Sequence, residues 1–176
     1  LVDIARTTAL AAMAVFHFTY DLELFGFAPR GTMNSLGWVL FARFIAGSFI
    51  FLSGVSLVLG QPIERIKYLK RLAMIGAAAL AVTAATSATM GTAFVRFGIL
   101  HHIFVASILG LAFLRSPFWI AAVLGVLVLA LPLMVTWPML DGPAWLWLGR
   151  TAPMPAMVDY VPVLPWFGVF LLGMSL

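Results

Sequence analysis

The sequence predicts an all-α protein whose helices cross a membrane about six times, and three observations support this fold class. The chain has 176 residues, of which 64% are hydrophobic and only 9% are charged. Its mean hydropathy is +1.12. An average soluble domain carries about 25% charged residues, so the chain lacks the polar surface of a water-soluble fold. Finally, its apolar runs approach the length of about 20 residues that a helix needs to cross a bilayer.

Polar residues, glycine and proline divide the sequence into six predicted spans. In chain order these are Ile4–Phe27, Leu36–Gly60, Leu72–Met90, Phe97–Leu114, Phe118–Trp137 and a sixth, truncated span that begins near Val161. The breaks carry helix-ending or helix-starting residues, such as Pro62 after the second span and Pro117 before the fifth. We predict a single transmembrane domain over residues 1–176. Because the sequence starts with Leu and stops inside the sixth apolar stretch, we expect it to be part of a longer chain.

The basic residues predict the orientation of the bundle. Four cations lie in the segment Gln61–Arg71 against the single acid Glu64: Arg65, Lys67, Lys70 and Arg71. Loops rich in Lys and Arg remain on the cytoplasmic side, so we expect this loop and the N-terminus to be cytoplasmic. By alternation, the long loop Pro138–Tyr160 lies on the other side as an interfacial cap. The formal net charge of +4 is thus a membrane signal, and we expect no nucleic-acid partner.

Ionisable side chains inside the predicted spans are the strongest functional signal, because such groups are costly in a bilayer and mark sites by default. The candidates all fall towards the outer ends of the spans: His17, Asp21, Arg43, Arg96, His101, His102 and Asp159. His17 and Asp21 are one helical turn apart and share a face. We therefore predict one polar pocket that opens to the extracytoplasmic side.

The residue types in this pocket suggest group transfer. A neutral histidine that is oriented by a carboxylate can act as a general base on a hydroxyl or an amine. We predict His17 as the base, Asp21 as its orienting partner and Arg43 as the counter-ion of Asp21. Arg43, together with the remaining candidates, is also predicted to bind substrate; the full set is Arg43, Arg96, His101, His102 and Asp159.

Structural interpretations of these residues remain open. His17 and Asp21 are also compatible with a pair that only fixes helix rotation, and Arg43 with a side chain that extends to the headgroups. Arg96 and Asp159 lie close to water, where solvated charges are common. Adjacent residues on a helix point about 100° apart, so only one of His101 and His102 is expected to face the pocket.

Other sites are less well supported. The chain has no cysteine, which excludes disulfides and a cysteine nucleophile, and we expect no metal. No phosphate-binding loop or nucleophile-elbow motif is present in the sequence. Small residues recur at four-residue spacing on the second and third spans: Ser56, Gly60, Ala77, Ala81 and Ala85. This spacing predicts close helix packing and no chemistry.

Several sequence strings together resemble the heparan-α-glucosaminide N-acetyltransferase family, particularly its bacterial branch. The strings are Asp3-Ile-Ala-Arg6, Met13-Ala-Val-Phe-His-Phe18, Asp21-Leu22, Phe49-Ile-Phe-Leu-Ser-Gly54, Arg96-Phe-Gly-Ile-Leu-His-His102 and Asp159-Tyr-Val-Pro-Val-Leu-Pro-Trp-Phe-Gly168. Their order and spacing extend the resemblance over nearly the whole chain. The last string, after a histidine-bearing fourth span, is the most specific.

The resemblance implies a transmembrane acyltransferase of a bacterial cytoplasmic membrane. Such proteins take an acyl group from cytoplasmic acetyl-CoA or another acyl-CoA and deliver it to a sugar or lipid-linked acceptor on the other side. The basic residues of Gln61–Arg71 would then attract the CoA phosphates, although they are equally compatible with a topology signal alone. The lysosomal enzyme is expected to carry its active histidine in the loop after the first span. Ala28–Ser35 has no histidine, so His17 takes that role here.

Two other classes of function remain open. The chain is also compatible with a non-catalytic subunit of a larger membrane complex, in which the polar residues bind a partner. The third class is a carrier or cofactor binder, in which a histidine ligates haem or chlorophyll. Co-purifying subunits or a Soret or Q-band absorbance would identify these alternatives.

Overall fold

A computed structural model describes residues 1–135, 142–149 and 157–176, and these residues form a helical bundle with no β-strand. It contains six α-helices in the described ranges: α1 Val2–Leu24, α2 Leu36–Leu59, α3 Arg65–Thr89, α4 Ile99–Gly110, α5 Phe118–Met134 and α6 Val163–Met174. Short 3₁₀ helices lie between them, at Thr32–Asn34, Gly91–Ala93, Leu111–Phe113 and Pro143–Leu148.

Successive helices alternate in direction, as expected for short connections. The start of α1 meets the end of α2, where the guanidinium of Arg6 donates to Ser56 Oγ at 2.5 Å. The start of α3 meets the end of α4, where the Tyr68 hydroxyl donates to the Ser107 carbonyl at 2.6 Å. Consequently α2, α4 and α6 all begin at one end of the bundle, which we call the polar end.

Helix α6 lies at the centre and packs against α2, α4 and α5. Its side chains Phe170 and Leu171 are at most 1% exposed. Glycine makes its closest crossings possible. A Cβ atom on Gly54 of α2 would overlap the Phe170 carbonyl, and one on Gly168 of α6 would lie 2.6 Å from the Gly125 carbonyl of α5. Helix backbones approach closely at such positions, as in membrane bundles.

Helices α1 and α3 are peripheral. Each has a single buried residue, Ala9 in α1 and Ala79 in α3. The small residues Ala77, Ala81 and Ala85 are exposed along α3, so the packing that their spacing predicts does not form within the described part of the chain.

By length and composition, two described helices, α2 and α3, are long and apolar enough to cross a membrane. Three others are apolar but shorter, namely α4, α5 and α6. The fold is therefore all-α with apolar helices, whereas the number of spans stays a prediction.

Two of the predicted loops differ in the structure. The third helix begins at Arg65 and not at Leu72, so most of the predicted cytoplasmic loop Gln61–Arg71 is helical. The Arg, Lys, Leu and Tyr residues of this segment have adequate helix propensity, and the segment lies after Pro62, which would interrupt a helix. The predicted cap Pro138–Tyr160 lies partly outside the described residues, with a 3₁₀ helix at Pro143–Leu148 in its described part.

Candidate functional site

The structure places the predicted site residues towards the polar end of the bundle. His17 and Asp21 lie in the last two turns or so of α1. His101 and His102 are in the first turn of α4, and Asp159 precedes α6. These residues therefore lie towards one end of the bundle, although the side chains do not all meet.

The carboxylate of Asp159 binds the start of α4. Its Oδ2 accepts a hydrogen bond of 2.9 Å from the backbone N–H of Ile99, the first residue of the helix. The first N–H groups of a helix lack partners within the helix, and the helix dipole favours an anion there. This hydrogen bond attaches the loop before α6 to α4. Two backbone hydrogen bonds also join this loop to the segment that precedes α4: Val161 N–H donates to the Phe97 carbonyl at 3.2 Å, and Val158 N–H donates to the Ala93 carbonyl at 3.1 Å.

Gly98 leaves the space that this carboxylate needs. A Cβ atom at position 98 would overlap Asp159 Oδ2 and lie 2.8 Å from both Asp159 Cγ and Val95 Cγ1. The backbone of Gly98 is extended, with φ −101° and ψ −169°, so the requirement is for space and not for an unusual conformation. A side chain at position 98 would therefore displace the Asp159 carboxylate, which explains why the string Arg96-Phe-Gly-Ile has glycine at this position.

His101 is held by hydrogen bonds at both ring nitrogens. Its Nδ1 accepts from the backbone N–H of Gly98 at 3.3 Å, and its Nε2 lies 3.2 Å from Thr83 Oγ1. The Thr83 hydroxyl donates to the Val95 carbonyl at 2.8 Å, so it is available to His101 only as an acceptor. These partners specify a neutral ring with its proton on Nε2. His101 therefore has no lone pair left for a substrate.

Electrostatics link Asp159 to two histidines. Burial raises the pKa of Asp159, while the hydrogen bond from Ile99 N–H acts to lower it, as would a positive charge on His101 or His17. His17, from α1, therefore lies within electrostatic reach of a carboxylate at the start of α4. Among the predicted residues, His101 and His17 are thus near enough to Asp159 for a charge on either ring to act on it.

His102 is the most deeply buried polar side chain of the group, with 0% exposure. Its Nδ1 lies 3.2 Å from the carbonyl oxygen of Pro162, just before α6. Its Nε2 is buried and has no hydrogen-bond partner in the described ranges. An unsatisfied buried polar atom costs about 1–3 kcal/mol, so native proteins rarely retain one without a reason.

Two predicted contacts are wrong. His17 and Asp21 are exposed and form no hydrogen bond or ion pair with each other in the described structure. Likewise, Arg43 is exposed and does not pair with Asp21 among the described residues. A spacing of one turn places two side chains on one face of a helix, but it does not bring them into contact. Arg96 is exposed too, and its guanidinium lies over the Phe94 ring at 4.8 Å from the centroid.

Two residues with structural roles near the site were not predicted from the sequence. Thr83 determines which ring nitrogen of His101 carries the proton. A threonine in an apolar helix has no sequence feature that predicts this role. Glu23 is not among the predicted site residues, but its carboxylate accepts hydrogen bonds from the backbone N–H groups of Gly31 and Met33 at 2.7 and 2.8 Å. It thereby orders the connection between α1 and α2.

Two grooves in the described structure do not coincide with these residues. A groove of about 610 Å³ lies between α1 and α2 and reaches Val169 of α6. A smaller one, of about 360 Å³, lies at the start of α2 beside Ser35 and Trp38. The single open pocket predicted for the ionisable groups is thus not formed by these grooves. Within the described residues, no three His, Asp or Glu side chains are grouped as a metal ion would require.

The comparison with protein families agrees with the sequence strings around His17, His102 and Asp159. The family described as heparan-alpha-glucosaminide N-acetyltransferase, catalytic, matches residues 1–176. No curated protein and no solved structure matches the chain. Because the family match extends over the whole sequence, the chain belongs to the heparan-alpha-glucosaminide N-acetyltransferase catalytic family.

Proposed function

We propose that the chain is a membrane acyltransferase, which transfers an acetyl or other acyl group from cytoplasmic acyl-CoA to an acceptor on the other side of a bacterial cytoplasmic membrane. The acceptor is the amine or hydroxyl of a sugar, either free or lipid-linked. Family membership supports the reaction class. The observation that carries the proposal is the oriented group of histidines and carboxylate at the start of α4, within a chain of this family.

The acceptor is proposed to enter at the polar end. His17, Asp21, Arg43 and Arg96 are exposed there and are free to meet a polar ligand. The two guanidinium groups suit an anionic part of the acceptor, such as the phosphate of a lipid-linked sugar.

The donor is proposed to bind with its phosphates at the opposite end. The first two turns of α3 carry four cations, Arg65, Lys67, Lys70 and Arg71, and the described structure gives only Lys67 an ion pair, with Glu64 at 2.7 Å. The remaining charges are available to the phosphates of CoA, which a cationic surface attracts. With the N-terminus in the cytoplasm, this end and the donor are on the same side of the membrane.

The purified protein in detergent micelles tests this proposal. We expect it to convert acetyl-CoA and an amino sugar into free CoA and the N-acetyl sugar, both measured by mass spectrometry. Release of CoA should depend on the acceptor, and free acetate should not replace acetyl-CoA. If no thioester is consumed with any amine or hydroxyl acceptor, and other subunits co-purify in fixed stoichiometry, the chain is a subunit of a complex and the proposal fails.

A further inference from the structure

Of the three histidines in the chain, His102 has its ring oriented by one partner while the other nitrogen is free. The Pro162 carbonyl that contacts Nδ1 can only accept a hydrogen bond. Nδ1 must therefore carry the proton, and a neutral ring then has its lone pair on Nε2. That lone pair lies in a fully buried position and meets no partner in the described part of the chain.

The other two histidines lack this arrangement. Both nitrogens of His101 are occupied, by Gly98 and Thr83. His17 is exposed, and none of the described hydrogen bonds orients its ring. A general base needs one ring nitrogen fixed by an acceptor and a lone pair on the other nitrogen. Of the three histidines, only His102 has an acceptor at one nitrogen and no hydrogen-bond partner at the other within the described residues.

The position of His102 also suits a reaction that must exclude water. The ring lies in the first turn of α4, beside the segment that leads into α6, and it is as completely buried as the core residues Ile50 and Phe170. A thioester and an activated acceptor are open to hydrolysis unless the reacting atoms are kept away from water. A base at this depth would act on an acceptor only after the acceptor has left the aqueous phase.

We propose that His102 is the general base of acyl transfer, a role that the sequence favoured for His17. The inference depends on the acyltransferase function proposed above and names the residue that moves the proton. His17 and Asp21 then contact the acceptor at its entrance and do not take its proton.

In the proposed step, the acceptor nitrogen or oxygen attacks the thioester carbonyl carbon while Nε2 of His102 removes its proton. The Pro162 carbonyl stabilises the imidazolium that forms, through the Nδ1–H bond. When the tetrahedral intermediate collapses, the C–S bond breaks and the sulfur leaves with its electron pair. The imidazolium returns the proton to the sulfur. The products are the acylated acceptor and free CoA, and His102 is neutral again.

The variant His102→Asn tests the role of His102 as a base separately from its role in packing. The Asn amide N–H replaces Nδ1–H towards Pro162, but no group replaces Nε2. We expect the variant to stay folded, with kcat at least about 100-fold lower and little change in KM for either substrate, since general bases contribute about 10²–10⁴-fold. Ser107→Ala is the matched control, because Ser107 is another buried polar residue of α4. It should transfer acyl groups at the wild-type rate.

A second measurement does not depend on the variant. In wild-type protein with ¹⁵N-labelled histidine, NMR should find one neutral ring protonated at Nδ1 and unprotonated at Nε2, and the signal should be absent from His102→Asn. A proton on Nε2 of His102 would overturn the proposal, even if the variant fails to fold. Transfer by folded His102→Asn at close to the wild-type rate would overturn it as well, while the acyltransferase function would stand. If the wild type transfers no acyl group, it is the proposed function that fails.

Discussion

Gly54→Ala is expected to destabilise the bundle strongly, because a single methyl group at this position forces two helices apart. The new Cβ would overlap the carbonyl oxygen of Phe170 and lie 3.1 Å from the amide nitrogen of Met174. Both are backbone atoms of α6, so no side-chain rotation relieves the clash. Overpacking a core costs about 1–3 kcal/mol, and we expect a loss towards the upper part of this range.

Thermal unfolding in detergent, followed by circular dichroism, measures this effect. Gly37→Ala is the matched control, since Gly37 lies in the same helix and a Cβ there meets no atom within 4 Å. We expect the midpoint of unfolding to fall clearly for Gly54→Ala and to stay within experimental error for Gly37→Ala. Equal midpoints for the two variants would contradict the close crossing of α2 and α6.

Asp159→Ala is expected to disturb the site, because it removes the acceptor that joins the loop before α6 to the first N–H of α4. Loss of a side-chain cap at a helix N-terminus costs about 1 kcal/mol. The first turn of α4 also carries His102, so misplacing it should lower the rate of acyl transfer by about 10-fold or more, in keeping with the sensitivity of reactions to positioning.

Asp159→Asn distinguishes positioning from charge. Its side-chain oxygen can still accept from Ile99 N–H, while the negative charge is lost. We expect this variant to recover most of the stability and of the transfer rate that Asp159→Ala loses. Equal loss of rate in both variants, with only the Ala variant less stable, would show that the carboxylate acts through its charge on the histidines and not through the geometry of α4.

Much of the fold could be predicted from the sequence, because apolar runs and their breaks report directly on helices. The second helix, for example, was predicted as Leu36–Gly60 and is Leu36–Leu59. The packing was less predictable. The repeated Ala77, Ala81 and Ala85 are exposed, whereas single glycines such as Gly54 make the crossings. Spacing within one helix cannot reveal which of its faces meets a neighbour from a distant part of the sequence.

The candidate site was predicted at the level of depth but not of contacts. Ionisable residues in apolar helices pointed to the polar end, where His17 and His101 lie within electrostatic reach of Asp159. The roles of the two adjacent histidines depend on Thr83 and Pro162, which belong to other segments and carry no functional pattern. Hydrogen bonds between segments distant in sequence are set by tertiary packing, so local reasoning chose the exposed His17 over the buried His102.

Transfer across a sealed membrane tests the central claim most directly. The protein would be reconstituted in one orientation in vesicles that contain an amino sugar, with the basic end of α3 outside and ¹³C-acetyl-CoA added outside. Neither substrate crosses a lipid bilayer unaided. We predict that the ¹³C-acetylated sugar accumulates inside the vesicles, that free CoA appears outside, and that vesicles without protein form neither. Acetylated sugar formed only when both substrates are on the same side of the membrane would contradict the account.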